Sequence, residues 1–394
     1  MDFSLILLAG GQSQRMGQDK RFLRINGLSF LERLLKKASA EDFVQIVLSI
    51  GQRDVKIESL AQRYHAKICV DIKRDEGPLC GLATSLAAIP TPYALAISCD
   101  MPFYDFQLYH VLRTKLQSNE SVQALLLRVQ GHIEPLASLY QKTCAPLFFK
   151  ALQAGERKLQ NVCAKLHCAY WDFPQPIPEL FNVNRPADLR LARGRALNLS
   201  RTVPIVTISA AHSGTGKTTF IEKLLPRFVQ KGLRVGVVKS DAHGFQIDTK
   251  GKDSDRFMQA GAQSVAVVSS HGYFLQEKRQ TKPPLTEIAA KIEGVQLILI
   301  ESRAHGLAPV ICLYREGELP TIGENVAAVF AKEKISFKDV PVFSLDDIEK
   351  AMEVVCFLAG CGRIDCEFQE QKSPIRRHND IKTRYRYEAP SRFQ

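Results

Sequence analysis

The residues best suited to chemistry in the first half of the chain lie between Leu8 and Lys20, in the string LAGGQSQRMGQDK. Gly10 and Gly11 let the backbone approach a ligand where a Cβ atom would intrude. Arg15 and Lys20 follow within reach of phosphate groups, and backbone amides together with two cations form an anion-binding cradle. The string therefore predicts a phosphate-binding loop rather than a plain strand-to-helix turn with solvated charges.

A second loop of this kind, AAHSGTGKTT, occupies residues 210–219. A strand precedes it and a helix follows, which is the context that a P-loop needs. Lys217 would bridge the β- and γ-phosphates of a nucleotide, and the Thr218 hydroxyl would ligate Mg²⁺. Ala211 stands where glycine is usual, and a left-handed conformation there would cost about 1–2 kcal/mol. The residues predicted to contact the phosphates are Ser213, Gly214, Thr215, Gly216, Lys217, Thr218 and Thr219.

Elements that alternate between strand and helix must position these loops. Apolar runs predict strands at residues 4–10, 44–50, 66–71, 93–100 and 203–211, and helices at 29–40, 55–64 and after the P-loop. Such alternation is typical of a parallel sheet with helices on both faces, whose ligands bind beyond the carboxyl ends of the strands. Gly10, Asp71 and Asp100 each end a predicted strand, and Glu301 ends the apolar run LILIE. Glu301 is therefore a candidate to hold Mg²⁺ through water.

The composition changes near residue 200, which divides the chain. The segment 186–204 is basic, ends near a proline and predicts a last helix followed by a linker. We expect an α/β protein with two doubly wound domains, at residues 1–195 and 203–360. Residues 362–394 are polar and aperiodic, which predicts a disordered tail with solvated arginines. The arginines that we noted there are Arg376, Arg377, Arg384 and Arg386.

Composition and charge limit the possible partners. The 394 residues are 45% hydrophobic and 24% charged, a globular balance, and the formal net charge of +12 favours polyanionic ligands. Phosphorylated small molecules are favoured over nucleic acid because no basic stripe with interleaved aromatic residues occurs. No signal peptide or membrane-spanning run is evident, so we expect a cytoplasmic protein whose 10 Cys are reduced thiols.

The string LAGGQSQRMGQDK resembles the signature of the molybdenum cofactor guanylyltransferases, which are nucleotidyltransferases with a Rossmann-like fold. The resemblance extends over most of residues 4–190. Further segments match in the family's order: DEGPLCGL at 75–82, ISCDMPF at 97–103, HIEPLASLY at 132–140, ALQAGERKL at 151–159 and FNVNRPADL at 181–189. One departure is that LSIGQ at 48–52, with Ser49 and Gly51, stands where the family often carries an asparagine.

The resemblance implies that molybdopterin attacks the α-phosphorus of GTP and that pyrophosphate leaves. Positioning and charge neutralisation dominate such a transfer. By resemblance, Asp100 holds Mg²⁺ and Lys20 and Arg15 stabilise the leaving pyrophosphate. Asn182 and Asn184 contact the pterin substrate, and they would share one side of a strand because they alternate. The residues implied to bind GTP are Leu8, Ala9, Gly10, Gly11, Lys20, Asp71 and Asp100.

Purely structural roles remain open for Asp100 and Asp71. Asp100 could cap a helix, and Asp71 could form a simple turn. Cys356, Cys361 and Cys366 have a spacing that fits no zinc pattern, which favours isolated thiols.

The second half, about residues 203–320, resembles the adaptor protein of molybdopterin guanine dinucleotide biosynthesis, a P-loop GTP-binding protein. The matching segments are VGVVKSDAHGFQIDTKGKDSDRF at 235–257 and LILIESRAHGLAPVICLYREG at 297–317. The resemblance implies slow GTP hydrolysis, with no arginine finger assignable, and delivery of product to molybdoenzymes or cooperation with molybdenum insertion proteins. By resemblance, Asp248 contacts the metal or the γ-phosphate. In place of the family's glycine after the acidic residue stands Ser302, and in place of its histidine pair stand Ser240, Asp241 and His243.

Two alternative functions remain open on the sequence. One is a cytidylyltransferase that acts on the same or a related phosphorylated acceptor, because relatives share the loop signature. The other is a GTP-dependent adaptor or chaperone whose first domain has lost catalysis, which the intact Lys20 and Asp100 disfavour.

Overall fold

The computed structural model describes residues 1–10, 18–74, 76–118, 121–212, 214–240 and 253–361, with the backbone of a short strand at Arg376–Arg377. The chain forms two compact units, which divide between Leu189 and Arg190. No helix in the described ranges is long and apolar enough to cross a membrane. Predicted and observed bounds agree within about two residues for the strands and helices placed by sequence.

The first unit contains a mixed sheet flanked by helices. The strands of this unit are β1 Phe3–Leu8, β2 Arg24–Ile25, β3 Leu28–Ser29, β4 Gln45–Ile50, β5 Lys67–Val70, β6 Tyr93–Ser98, β7 Ala124–Val129, β8 His132–Gln141 and β9 Cys168–Phe173. Of these, β2 and β3 form a separate two-stranded sheet. Its helices are α1 Phe30–Ala38, α2 Val55–Arg63, α3 Pro78–Ala88, α4 Gln107–Gln117, α5 Cys144–Gln153, α6 Leu159–Cys163 and the start of α7 Pro186–Ala196. Short 3₁₀ turns occur at Lys20–Phe22 and Pro178–Leu180.

β1 lies inside the sheet because both of its faces are apolar. Leu5 and Leu7 pack into one hydrophobic cluster, while Ile6 and Leu8 pack into another on the opposite face. Successive side chains of a strand point to opposite faces, so a continuous apolar run needs a helical layer on each side. The sequence FSLILL therefore specifies a central strand of a three-layer α/β unit.

The predicted parallel sheet is confirmed for β1, β4, β5 and β6, whereas β8 of this unit runs in the opposite direction. The order is β9-β7-β8-β6-β1-β4-β5, and β8 runs antiparallel to both β6 and β7. Gln130 and Gly131, with φ of 50° and 81°, form the turn between β7 and β8. Two residues with positive φ give the twist that closes a tight hairpin, so the direction of β8 follows from this turn. The backbone of Arg376–Arg377, which we number β18, pairs antiparallel with β9.

The second unit contains a parallel sheet and a separate hairpin. Its strands are β10 Ile205–Ala210, β11 Val235–Lys239, β12 Ser264–Ser269, β13 Gly272–Glu277, β14 Leu297–Glu301, β15 Val310–Tyr314, β16 Val326–Ala331 and β17 Val342–Ser344. Its helices are α8 Lys217–Gln230, α9 Asp253–Gln259, α10 Leu285–Ala290 and α11 Ile348–Ala359. The sheet order β11-β14-β10-β15-β16-β17 places β10 between β14 and β15, and β12 pairs only with β13 among the described strands.

The boundary between the units falls within α7, after Leu189, whereas the sequence predicts that the first domain ends at residue 195. A Cβ atom on Gly194 would lie only 2.7 Å from that of Ala327, so this end of α7 packs tightly in the second unit. The Asn198 side chain bonds both the amide and the carbonyl of Ile205, at 3.0 Å each. The residues that follow α7 are thus tied to the first strand of the second unit. The predicted tail, residues 362–394, lies outside the described residues apart from β18.

Candidate functional site

The carboxyl ends of the parallel strands in the first unit meet beside β1. The Ala9 amide donates to the Ser49 carbonyl at 2.8 Å, and the Cys99 amide donates to the Leu8 carbonyl at 3.1 Å. These bonds extend the pairing of β1 with β4 and β6 past the strand ends. The segments that carry Gly10 and Asp100 therefore leave the sheet at one edge, where α/β folds bind their ligands.

Lys20, Asp100 and Asn184 come together at this edge. Lys20 Nζ lies 2.5 Å from Asn184 Oδ1 and 3.8 Å from Asp100 Oδ2. The Val183 amide donates to the Asp100 carbonyl at 2.9 Å, which fixes the asparagine segment against the end of β6. The Arg21 side chain donates to the Ala9 carbonyl at 3.2 Å and so holds the 3₁₀ turn containing Lys20 against the loop.

One oxygen of the Asp100 carboxylate has no hydrogen-bond partner among the described protein atoms. Its Oδ1 atom is buried and accepts no hydrogen bond within the described ranges, while 19% of the side chain is exposed. A buried carboxylate oxygen without a partner is unfavourable, and a cation would satisfy it. The reading of Asp100 as a helix cap has no support, since no helix among the described elements begins there.

Asp71 lies beside the glycine loop in a tightly fitted pocket. The Ser49 hydroxyl donates to Asp71 Oδ1 at 2.8 Å. Burial raises the pKa of Asp71, and the bond from Ser49 opposes that rise. A Cβ atom on Gly10 would lie 3.0 Å from Asp71 Oδ2, and one on Gly81 would lie 2.5 Å from the Ser49 hydroxyl oxygen. A methyl group at Gly81 would therefore collide with Ser49, and one at Gly10 would crowd the Asp71 carboxylate.

The contacts of Ser49 and Gly81 are not predicted by the sequence. Ser49 stands where the family often carries an asparagine, and its hydroxyl orients Asp71 in the structure. Gly81 lies in the segment DEGPLCGL with no predicted role of its own. The close packing of α3 against Ser49 and Asp71 depends on the absence of a side chain at this position. No sequence signal marks such an approach, because it joins α3 to two strands.

The prediction that Asn182 and Asn184 lie on a strand is wrong. Residues 181–184 belong to no strand, and the two asparagines differ in their contacts. Asn184 bonds Lys20, and its amide and that of Arg185 donate to the Asp188 carboxylate at 2.9 and 2.8 Å. Asp188 thereby caps the start of α7 and fixes the asparagine beside the cation. Gly11 and Arg15 lie outside the described residues.

The second candidate site surrounds the start of α8. Gly216, with φ of 92°, is in the left-handed conformation directly before Lys217, the first residue of α8. The Thr218 hydroxyl lies 3.0 Å from each carboxylate oxygen of Glu301, which ends β14. The Lys217 ammonium donates to the His212 carbonyl at 3.2 Å across the loop. A helix start, a lysine, a hydroxyl and a buried carboxylate thus converge as the sequence predicts for a nucleotide site.

Charge in the P-loop is concentrated around a buried lysine. Lys217 is 8% exposed, and burial lowers the pKa of its ammonium. Glu301 raises that pKa, whereas Arg303 and Lys239 lower it further. An anion bound in the loop would relieve this repulsion between cations.

The anticipated penalty at Ala211 does not arise. Among the described residues other than glycine, positive φ occurs at Asn26, His65 and Gln130, so Ala211 does not adopt a left-handed conformation. Thr215 and Thr219 flank the lysine as expected, and the Thr215 hydroxyl donates to the His212 carbonyl at 2.9 Å. The Ser302 hydroxyl, in place of the family's glycine, accepts the Ala304 amide at 3.0 Å. Outside the described residues lie Ser213, Asp241, His243, Asp248 and Cys366.

The two edges define an enzyme of the nucleotidyltransferase class joined to a P-loop nucleotide-binding unit. A family model described as a MobA-like NTP transferase domain matches residues 5–169, and one described as molybdopterin guanine dinucleotide synthesis protein B matches residues 205–332. The probable molybdenum cofactor guanylyltransferase of Nostoc sp. is 30% identical over 203 residues, which cover 50% of this chain and 94% of that protein. This chain belongs to the molybdenum cofactor guanylyltransferase family.

Two further relatives match the first unit. The molybdenum cofactor guanylyltransferase of Pseudomonas fluorescens is 32% identical over 186 residues, which cover 46% of this chain and 90% of that protein. The crystal structure of molybdopterin-guanine dinucleotide biosynthesis protein A from Archaeoglobus fulgidus is 24% identical, with a TM-score of 0.42. The match covers 48% of this chain and 96% of the Archaeoglobus fulgidus chain.

Proposed function

We propose that the first unit transfers GMP from GTP to Mo-molybdopterin, which yields molybdopterin guanine dinucleotide and pyrophosphate. The observation that carries the proposal is the convergence of Lys20, Asp100 and Asn184 at the glycine loop. A phosphate oxygen of the pterin attacks the α-phosphorus, and the bond between the α-phosphorus and the bridging oxygen of the β-phosphate breaks. Lys20 neutralises charge on the departing pyrophosphate, and Asn184 keeps the lysine aimed at it.

The donor set suits a divalent cation of the magnesium type. Asp100 offers one buried, unpartnered carboxylate oxygen, and the described residues contain no cluster of three or more His, Cys, Asp or Glu side chains. Mg²⁺ takes one or two carboxylates and completes its coordination with water and substrate phosphates. When bound, the ion supplies positive charge to the reacting phosphate. Asp100 would hold it, and the neighbouring Lys20 would contact the phosphates.

The half-buried Asp71 is proposed to contact the nucleoside part of GTP. Its carboxylate lies against Gly10, with one oxygen held by Ser49 and the other facing the glycine backbone. A carboxylate can accept bonds from the amino and imino groups of guanine, a donor pair that cytosine does not present in the same arrangement. This chemistry favours guanylyl over cytidylyl transfer at this site.

The second unit is proposed to bind GTP through its P-loop and to hydrolyse it slowly. Lys217 would bind the β- and γ-phosphates, and Thr218 and Glu301 would hold Mg²⁺, the latter through water. The Thr218 hydroxyl points at the Glu301 carboxylate. This unit would support delivery of the dinucleotide to apo-molybdoenzymes or exchange with molybdenum insertion proteins.

The test is pyrophosphate release by the full chain with Mo-molybdopterin and each nucleoside triphosphate in turn. We expect GTP to be the preferred donor and the dinucleotide to accumulate with the pyrophosphate. A preference for CTP would replace the proposal with cytidylyl transfer. Absence of pyrophosphate with every donor, in a chain that still binds GTP, would favour the non-catalytic adaptor.

A further inference from the structure

Arg315, which lies in the segment 297–317 but has no role predicted from it, lies over the P-loop. A Cβ atom built on Gly216 would be 2.9 Å from a terminal guanidinium nitrogen of Arg315 and 3.3 Å from its central carbon. Gly216 immediately precedes Lys217, so the guanidinium covers the turn from the loop into α8. Backbone amides at such a turn point towards bound phosphate. Arg315 is therefore a second cation, besides Lys217, at the place where phosphate would bind.

The backbone holds Arg315 at this position. It is the first residue after β15, and β15 pairs in parallel with β10, the strand that leads into the P-loop. The Lys332 amide donates to the Tyr314 carbonyl at 3.0 Å, and the Tyr314 hydroxyl donates to the Gly317 carbonyl at 3.3 Å. The base of the side chain is therefore fixed by the sheet, while its guanidinium reaches the loop.

Arg315 has no compensating anion within the described part of the chain. It makes no ion pair or side-chain hydrogen bond to a described residue, and its side chain is exposed. The Glu318 carboxylate, three residues further on, lies 3.9 Å from His212 instead. Lys217 nearby is already repelled by Arg303 and Lys239. A guanidinium placed beside such a cationic loop is unfavourable without an anion, because like charges at short range repel.

The order of the strands decides from which side the arginine acts. β14 lies next to β10 on one side and carries Glu301, the proposed magnesium carboxylate. β15 lies next to β10 on the other side and carries Arg315. A magnesium ion held by Thr218 and Glu301 would bridge the β- and γ-phosphates on the β14 side, which would leave Arg315 facing the phosphates nearer the nucleoside.

We propose that Arg315 is a nucleotide-binding residue of the second unit, whose guanidinium contacts the α- and β-phosphates from the side opposite Glu301. The proposal rests on the proposed P-loop function. Arginine suits this role because its planar fork donates two parallel bonds to phosphate oxygens and stays charged at every relevant pH. Because α- and β-phosphates occur in both nucleotides, the contact stabilises bound GDP as well as bound GTP.

The experiment measures GTP and GDP affinity by calorimetric titration of the full chain. Every protein carries Lys20→Ala, which weakens binding by the first unit, and a Lys217→Ala variant of that chain defines any residual binding. Arg315→Ala should weaken GTP and GDP alike, by about tenfold or more, as expected for loss of a charge-assisted hydrogen bond. Arg315→Lys should recover part of the affinity. Arg227→Ala, which removes an equal charge near the far end of α8, should bind both nucleotides as the parent does.

The outcomes separate the two proposals. If Lys217→Ala binds as tightly as the parent, the P-loop function itself fails. If Lys217→Ala loses binding while Arg315→Ala matches the parent for both nucleotides, the role of Arg315 is refuted and the P-loop function stands. A loss confined to GTP would also refute the proposal, since it would place the guanidinium at the γ-phosphate.

Discussion

Lys20 Nζ lies 2.5 Å from Asn184 Oδ1 although 164 positions separate the two residues in the chain. This contact joins the end of the glycine loop to the start of α7, and Asp100 faces the same ammonium at 3.8 Å. The asparagine holds the lysine by its side-chain carbonyl and is itself held through its backbone by Asp188. The cation of the proposed transfer site is therefore positioned by elements from opposite ends of the first unit.

Replacing Asn184 should impair turnover more than it impairs nucleotide binding. In Asn184→Ala, Lys20 keeps its charge but loses the bond that aims it, so we expect kcat to fall roughly 10- to 100-fold. Pyrophosphate release at saturating GTP measures the effect. Asn161→Ala, which removes an exposed asparagine side chain bonded to Glu156, is the matched control, and an equal fall of kcat in both variants would contradict a positioning role for Asn184.

Replacing Asp100 should abolish most of the transfer without unfolding the chain. Asp100→Asn keeps the shape of the side chain but removes the charge of the unpartnered Oδ1, and we expect about a 10²-fold or greater loss of pyrophosphate release. The concentration of Mg²⁺ needed for half-maximal rate should rise in the variant. Asp42→Asn, which removes an exposed carboxylate paired with Arg113, is the control and should retain the parental rate. A rate within a few-fold of the parent for Asp100→Asn would rule out the metal role.

A methyl group at Gly81 should disturb the nucleoside side of the site. It would lie 2.5 Å from the Ser49 oxygen and 3.3 Å from both Asp71 oxygens, so Gly81→Ala should destabilise the chain by about 1–3 kcal/mol and weaken GTP binding. Thermal unfolding and GTP titration measure both effects.

A second substitution tests that cause. Ser49→Ala removes the clashing oxygen, so the double variant should regain stability relative to Gly81→Ala alone. No recovery would show that the strain lies elsewhere. Gly272→Ala, where no atom lies within 4 Å of the added carbon, is the control for the substitution itself.

The half-buried Asp71 should make the free energy of unfolding depend on pH in a defined direction. Burial raises its pKa in the folded chain, so the folded state binds the proton more tightly than the unfolded state does. Stability from this group is therefore greatest at low pH and falls as pH rises from the ordinary aspartate pKa through the raised one. Asp71→Asn, which keeps an acceptor for Ser49, should raise the unfolding temperature at pH 7 and have little effect near pH 3.

The same variant separates stability from function. Asp71→Asn should bind GTP more weakly at pH 7 although it is more stable there. Asp188→Asn serves as a comparison for loss of a carboxylate that caps a helix. A variant that is less stable than the parent at pH 7 would contradict the sign of the argument.

The P-loop and the transfer site should be separable by mutation. Lys217→Ala should abolish GTP binding by the second unit while leaving pyrophosphate release from the first unit within a few-fold of the parent. The converse variant, Lys20→Ala, should lose pyrophosphate release and keep GTP hydrolysis. Each activity is measured in the full chain, and a loss of pyrophosphate release in Lys217→Ala equal to that in Lys20→Ala would show that the two activities are not independent.

The amino-acid sequence by itself determined the class of fold and the family, and it predicted two phosphate-binding loops. These features are local: apolar runs specify buried strands, and glycine and cations close together specify anion-binding turns. The same local patterns predict four candidate site residues, because each ends or follows such an element: Lys20, Asp100, Lys217 and Glu301.

Tertiary structure decided which of these residues meet. It brought Asn184 to Lys20, set Gly81 against Ser49 and placed Arg315 over Gly216. It also turned β8 antiparallel and put the end of α7 in the second unit. Such contacts join residues far apart in the chain, and they depend on strand order and close packing, which local residue patterns do not encode.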